Sequence, residues 1–129
     1  MTKGEKGFTM IELILVITLL GILAVVALPR FFNMSTGAQT AAREGVVGSV
    51  RSGIALWRAN DLVQGNSGSY PTALDSASAG ACNTTNPCFG NVLEQGIQDG
   101  NWTRNADGTY THTPTSSTFT YTTAAGTFQ

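Results

Sequence analysis

Charged residues are scarce in this chain of 129 residues. Asp, Glu, Lys and Arg make up 12% of it, about half the usual fraction. The formal charge of −1 argues against a nucleic-acid-binding protein, whose surface should be basic. One histidine, His112, and two cysteines, Cys82 and Cys88, are too few for a His/Cys zinc site. A triad enzyme would depend on His112 alone, so we expect no enzyme and no cofactor, and a structural or membrane protein fits best.

A long apolar run lies near the N-terminus. Residues 13–28 carry no charge, and the run extended back to Phe8 contains one ionisable group, Glu12. A transmembrane helix needs about 20 mostly apolar residues. The segment from Phe8 to Leu28 is therefore long enough to span a membrane.

The flanks of this run indicate its orientation and its retention. Lys3 and Lys6 precede it and Arg30 follows it, so the positive-inside rule favours a cytoplasmic N-terminus. A secretory signal peptide would end in small residues of the A-x-A kind. Here the run ends at Leu28 and Pro29, and we therefore expect the segment to stay in the protein.

Glu12 is unusual within such a segment. An unpaired carboxylate at that depth would cost about 2.5–3.5 kcal/mol, so it should have a partner. No Lys or Arg lies within two helical turns on its C-terminal side, and the partner must come from elsewhere. A cut between Gly7 and Phe8 would create an α-amino group beside the acid. Alternatively, Glu12 lies unpaired at the membrane edge and extends its carboxylate to the interface.

The segment Lys6-Gly7-Phe8-Thr9-Met10-Ile11-Glu12-Leu13 resembles the processing motif of type IV pilin precursors and of the related pseudopilins of type II secretion. The run from Leu20 to Pro29, with its glycine and proline, is also similar to that family. The resemblance covers about residues 4 to 32. Met10 stands where leucine is commoner, a substitution that conserves volume.

This resemblance implies a processing and assembly route. A prepilin peptidase would remove the leader, residues 1–7, by cutting after Gly7, and would methylate the new amine of Phe8. Glu12 would neutralise the N-terminal amine of a neighbouring subunit. The implied partners are further copies of the chain in a helical filament, the peptidase, and a pilus or secretion assembly platform. The precursor would cross the inner membrane once, and the assembled form would be an extracellular pilus or a periplasmic pseudopilus.

The predicted architecture is α+β. A long helix over residues 8–62, with 8–28 as the transmembrane or filament-core part, would pack on a small antiparallel sheet in a head of residues 63–129. Gly21 and Pro29 bracket the weakest part of the helix, because Gly costs about 1 kcal/mol and Pro about 3 in a helix interior. We expect a kink there in the lone subunit, or unwinding in a filament.

Two stripes of residues recur at helical spacing after Pro29. The bulky stripe, which should pack under the sheet of the head, consists of Val47, Val50, Ile54 and Trp57. The small stripe, which either lets a second helix approach closely or fills a tight space within the monomer, consists of Ala38, Ala42, Gly45, Ser49 and Ser52.

The head is rich in turn formers and then in strand formers. Beyond the inner membrane the environment is oxidising, so Cys82 and Cys88 should form a disulfide, the alternative being two free thiols. A short helix is predicted from about Asn91 to Gln98. Threonine alternating with aromatic residues predicts half-buried antiparallel strands, with these aromatic side chains in the core: Trp102, Tyr110, Phe119 and Tyr121.

Asp99 and Asp107 are candidate calcium ligands, since pseudopilins bind calcium in a C-terminal loop with two aspartates. Calcium, however, takes six to eight oxygen ligands, and strand-like residues 102–104 interrupt this loop. Three functions therefore remain: a subunit of a type IV pilus for adhesion, motility or DNA uptake; a type II secretion pseudopilin; or a single-pass membrane enzyme or binding module.

Overall fold

The computed structural model describes Gly4 and residues 6–129. Lys3 and part of the expected leader lie outside the described residues. The chain divides into two compact units, the first reaching Ala38 and the second spanning Gln39–Gln129.

One helix, α1, spans Met10–Val63. Its C-terminus is closed by Gly65, whose φ of 83° lies in the left-handed region that favours glycine. The amide of Gly65 donates to the Leu62 carbonyl at 3.0 Å, and the amide of Asn66 donates to the Asp61 carbonyl at 3.1 Å. This pair of bonds is a Schellman motif, which satisfies carbonyls that the helix itself leaves free.

The head contains two small antiparallel sheets, which confirms the predicted α+β class. The first has four strands in chain order: β1 Gly80–Ala81, β2 Trp102–Arg104, β3 Tyr110–His112 and β4 Ser117–Phe119. The second pairs two further strands: β5 Tyr121–Thr122 and β6 Thr127–Phe128. A 3₁₀ turn, Thr113–Thr115, connects β3 to β4.

The alternation of threonine with aromatic residues produces two different sheet faces. Trp102 pairs with His112 across β2 and β3, and both side chains are buried. On the other face Thr111 pairs with Thr118, and their hydroxyls lie 3.0 Å apart. The first two predicted strands are confirmed, and in them side chains two residues apart share a face. The third, expected from Thr118 to Thr122, is divided between β4 in the first sheet and β5 in the second.

The core lies between α1 and the loops and strands of the head. Three residues of the bulky stripe, Val47, Val50 and Ile54, are at most 2% exposed. For the fourth residue of the stripe, Trp57, the prediction was wrong, since its side chain is 44% exposed. Its side chain lies at the edge of the face defined by the other three, about 60° around the helix from Ile54.

Phe89 is at the centre of this core. Its side chain is fully buried, and its ring centroid lies 5.7 Å from that of Trp102, 4.4 Å from Tyr110 and 5.5 Å from Phe128. Its φ of 61° is uncommon for a bulky residue. The aromatic contacts around it stabilise this backbone conformation.

Asp75 carries a buried charge beside Phe89. Its Oδ2 accepts the Phe89 amide at 2.8 Å and the Tyr110 hydroxyl at 2.9 Å. Its Oδ1 lies 3.2 Å from Arg104 Nε, close enough for an ion pair although the angle is outside hydrogen-bond geometry. Burial, reinforced by the charge of Asp75, raises the pKa of Tyr110, so the phenol remains a donor to this carboxylate.

The loop before β2 is closed by a Cys82–Cys88 disulfide, and both side chains are buried. The predicted helix from Asn91 to Gln98 was wrong: these residues form turns and a bridge between Cys88 and Ile97. Gly96 is the reason. Its φ is 66°, and a Cβ there would lie 2.6 Å from the Cys88 carbonyl oxygen, so the chain turns back on itself.

Candidate assembly site

The residues that precede α1 are exposed and non-helical. Lys6, Gly7 and Phe8 have no regular secondary structure, and the Phe8 side chain is 93% exposed. A Cβ added to Gly7 would meet no atom within 4 Å. The fold of the single chain therefore does not require glycine at this position.

Glu12 caps the N-terminus of α1 together with Thr9. The Oε2 of Glu12 accepts the Thr9 amide at 2.8 Å and the Thr9 hydroxyl at 3.1 Å. In return the Glu12 amide donates to Thr9 Oγ1 at 3.3 Å. These reciprocal bonds form a capping box, which satisfies amides that the first turn of a helix leaves free.

This cap adds a local neighbour to the cationic partner that the sequence leads us to expect from elsewhere. Thr9 of the same chain supplies two neutral donors to the Glu12 carboxylate. The pattern was present in the sequence, since Ser or Thr followed three residues later by Glu is the capping-box signature. The capping pattern and the resemblance fall on the same glutamate.

Beside the cap lies a small groove of about 240 Å³. Phe8 and Glu12 form one part of it, and Leu13 and Val16 on the following turn form the rest. Glu12 is the one titratable group among these lining residues. The carboxylate is thus next to an apolar surface that is open to the surroundings.

The apolar half of α1 is uncovered in the single chain. No described residue before Gln39 is buried, and every large apolar side chain from Phe8 to Met34 is at least 52% exposed. The helix is long and apolar enough to cross a membrane, with a mean hydropathy of 2.9 in its most apolar window. Thr18 fits such a setting, because its hydroxyl donates to the Ile14 carbonyl at 2.7 Å.

Gly21 and Pro29 both lie within α1. A Cβ at Gly21 would meet no atom within 4 Å, so packing within the chain does not require glycine there. Pro29 has no amide hydrogen, and the Val25 carbonyl therefore receives no bond from it.

In the second unit, α1 has an uncharged outer face. With about 100° between successive residues, this face lies opposite Val47, Val50 and Ile54. Its members are exposed and follow one another at steps of three, four or seven: Ala42, Gly45, Ser49, Ser52, Leu56 and Val63. The residues of the small stripe, Ala38 included, are therefore exposed and do not fill a space within the monomer. The side of a surface helix that faces away from the core is normally polar and charged.

The arginines of this part of α1 are engaged within the head. Arg43 pairs with Glu44 and donates to Ser117 Oγ at 2.8 Å. Arg51 donates to the Phe128 carbonyl at 2.9 Å, and the Arg58 guanidinium lies 4.7 Å from the centre of the Tyr70 ring. These contacts attach the C-terminal strands and the loop after α1 to the helix.

Asp99 and Asp107, the candidate calcium ligands, each bond within a local turn. Asp99 accepts the amide of Asn101 at 2.9 Å, and Asp107 accepts the amide of Thr109 at 3.0 Å. The bonds from Thr109 lower the pKa of Asp107. Across Gly4 and residues 6–129, no three His, Cys, Asp or Glu side chains are grouped as metal ligands.

Comparison with known proteins finds a family model at the start of the chain and relatives over longer stretches of it. A family model described as "Prokaryotic N-terminal methylation motif" matches residues 2–28. The "Type IV narrow pilus major component PilA5" of Thermus thermophilus is 33% identical over 97 residues, which cover 65% of this chain and 84% of that protein.

Two further relatives have similar names. The "Type IV major fimbrial protein FimA" of Dichelobacter nodosus is 29% identical over 96 residues, 62% of each chain. "Fimbrial protein Q" of Moraxella bovis is 45% identical over 51 residues, which cover 40% of this chain and 31% of that protein. No solved structure matches the chain significantly.

Proposed function

Because this chain belongs to the type IV pilin family, we propose that it is the structural subunit of a type IV pilus, a helical surface filament made of many copies. It is not an enzyme, since its relatives are pilus and fimbrial structural proteins. Adhesion, motility and DNA uptake are the activities that such a filament would serve.

The exposure of the apolar half of α1 is the observation that carries the proposal. Its large apolar side chains cannot remain in water, because burying each contributes about 1.5–3 kcal/mol. A membrane covers them before assembly and the helices of other subunits cover them afterwards. Transfer from lipid to a helical bundle gains little hydrophobic energy, so packing and polar pairs set the register.

The uncharged outer face supports the same function in the second unit. Gly45 is exposed, and a Cβ there would meet no atom within 4 Å, yet glycine costs about 1 kcal/mol in a helix interior. The fold of one chain gives no reason for that cost. Close approach of a neighbouring helix gives one, because small residues allow backbones to come near each other.

The exposed start of the chain supports a processing step there. We propose that a prepilin peptidase cuts after Gly7 and methylates the amine of Phe8. Two features support this: the non-helical, accessible backbone of Gly7 and Phe8, and the absence of any structural demand for glycine at position 7. The leader would be residues 1–7, and the mature subunit would begin at Phe8.

The proposed location is the inner membrane for the precursor, with a cytoplasmic N-terminus, and the cell surface for the assembled form. An assembly platform would lift the subunit from the membrane into the filament. The stretch between Gly21 and Pro29 would unwind during this step, because both residues weaken the helix there.

The first experiment is intact-mass measurement and N-terminal sequencing of fibres sheared from cells. We expect chains that begin at methylated Phe8 in long extracellular fibres. The same mature chain confined to the membrane fraction would instead indicate a pseudopilin. An intact Met1 in either fraction would contradict processing after Gly7.

Glu12→Ala tests the role of the acid. In the proposed filament, Glu12 pairs with the methylated amine of a neighbouring Phe8, and that pair is strong because lipid and packed helices exclude water. We expect membrane insertion and leader removal to continue while filament yield falls sharply, as seen by electron microscopy and by immunoblotting of sheared material. Normal filaments from this variant would show that the pairing is not needed.

A further inference from the structure

Building on the proposed pairing of Glu12 with a neighbour's N-terminal amine, we infer that Thr9 is a positioning residue for that pairing. It holds one oxygen of the Glu12 carboxylate and leaves the other oxygen available to the incoming amine.

The hydrogen bonds divide the carboxylate in this way. Both donors of Thr9, its amide at 2.8 Å and its hydroxyl at 3.1 Å, reach Oε2 of Glu12. Oε1 accepts no hydrogen bond from the residues that the structure describes. An ionised carboxylate has two oxygens with about four acceptor positions, so the cap and an ammonium group can bind at the same time.

Fixing the carboxylate matters because no other residue that the structure describes donates a hydrogen bond to Glu12 and so orients it. The residues around it on α1, Met10, Ile11 and Leu13, are apolar, and the groove beside it is lined by apolar side chains. An unrestrained glutamate loses rotamer freedom when it binds a partner. Thr9 removes that cost before the neighbour arrives, which is preorganisation.

The hydroxyl of Thr9 can be tested separately from its shape. Thr9→Val keeps the branched side chain and the amide bond to Oε2, and loses the two bonds of the hydroxyl. Thr9→Ser keeps all three. Thr18→Val is the matched control, because the Thr18 hydroxyl donates to the Ile14 carbonyl in the same helix and does not contact Glu12.

The experiment measures sheared filament yield, membrane insertion and leader removal for the full chain carrying each substitution. We expect Thr9→Val to lower filament yield about fivefold, a factor that corresponds to the loss of one helix cap. Insertion and leader removal should be unchanged, and Thr9→Ser and Thr18→Val should assemble like the parent. Normal assembly of Thr9→Val, or a Thr9→Ser yield as low as that of Thr9→Val, would overturn the inference.

A second readout does not depend on filaments. In the full chain in detergent micelles, the NMR chemical shift of the Thr9 amide proton should change with pH as Glu12 titrates, and this change should be absent in Glu12→Gln. A Thr9 amide whose chemical shift does not change with pH would overturn the inference. Loss of filaments in Glu12→Ala but not in Thr9→Val would remove the role of Thr9 and leave the proposed pairing intact. Normal filaments in Glu12→Ala would remove both.

Discussion

The two units differ in how their apolar residues are covered, although one helix contributes to both. In the second unit, Val47, Val50 and Ile54 are at most 2% exposed because the head packs on them. In the first unit, every large apolar side chain from Phe8 to Met34 is at least half exposed. The second unit thus has its own core, and the first unit needs lipid or further chains to bury its surface.

This difference shows that an apolar sequence determines what must be buried but not what buries it. The polar exceptions follow the same division. In the second unit the buried carboxylate of Asp75 has partners within the head. In the first unit Glu12 is capped on Oε2 by Thr9 and exposed on its other side. Substitutions of buried residues in the second unit should therefore affect folding, and substitutions of Glu12 in the first unit should affect assembly.

Asp75→Ala should have the largest effect on folding. It removes the acceptor of the Phe89 amide and the Tyr110 hydroxyl, and it leaves the partly buried Arg104 without its counter-ion. Breaking such a pair typically costs about 3–5 kcal/mol. Urea unfolding of the detergent-solubilised chain, followed by tryptophan fluorescence, measures this loss.

Glu94→Ala is the control, because Glu94 is an exposed acid of the same head. It should change stability by less than about 0.5 kcal/mol. Circular dichroism should show that Asp75→Ala keeps the helix of the first unit, since none of the core residues of the head lies in that unit. Equal destabilisation by both variants would contradict the role assigned to Asp75.

Replacing Cys82 and Cys88 together by alanine should have the next largest effect. The disulfide closes a loop of only a few residues, and the entropy model gives about 2 kcal/mol for such a loop. The same unfolding experiment measures it. Because both sulfurs are buried, mild reductant should leave the folded parent unchanged, and ready reduction would show that the loop opens in the native state.

Much of this organisation could be predicted from local patterns. The apolar run and the helical spacing of Val47, Val50 and Ile54 predicted α1, and the alternation of threonine with aromatic residues predicted β2 to β4. Periodic patterns report burial because a repeating geometry places the same face inward. The resemblance predicted Glu12 as a site, and the cap formed by Thr9 could also have been found from the spacing.

The remaining features do not follow a repeating sequence pattern, and the sequence therefore did not predict them. Phe89 lies in a loop, and its position depends on contacts with Trp102 and Tyr110 from distant parts of the chain. Asp75 is one of five acids after residue 58, and only the tertiary structure distinguishes it. The turn at Gly96 replaces the predicted helix because the Cys88–Ile97 bridge competes with helical bonding.

Gly45→Ala tests the outer face of the second unit, and its two effects should have opposite signs. The added Cβ meets no atom within 4 Å, so the folded monomer should gain up to about 1 kcal/mol from better helix propensity. Filament yield should fall, because the methyl group keeps a neighbouring helix away. Gly48→Ala also meets nothing within 4 Å and lies to one side of this face. It should give the same gain and a smaller loss of filaments, and equal yields for the two variants would contradict the proposed contact.

The smallest expected effect is a pH dependence confined to the second unit. His112 is 3% exposed; burial lowers its pKa below the ordinary 6.5, and the charge of Arg43 lowers it further, while Asp99 acts in the opposite direction. The unfolded chain therefore binds the proton more readily. Stability should be fully present above about pH 6.5 and decrease as the pH falls through that value towards the folded pKa.

The pKa of His112 in the unfolded chain sets an upper limit on the stability that is lost. The free energy of unfolding should therefore decrease by less than about 0.8 kcal/mol between pH 7.5 and 6.0. Urea unfolding of the detergent-solubilised chain at the two pH values measures it, and His112→Gln should remove the difference. No other histidine is present in the sequence, so a slope that survives in His112→Gln would assign the proton to another group. The first unit contains no histidine, and its helix content should therefore be the same at both pH values.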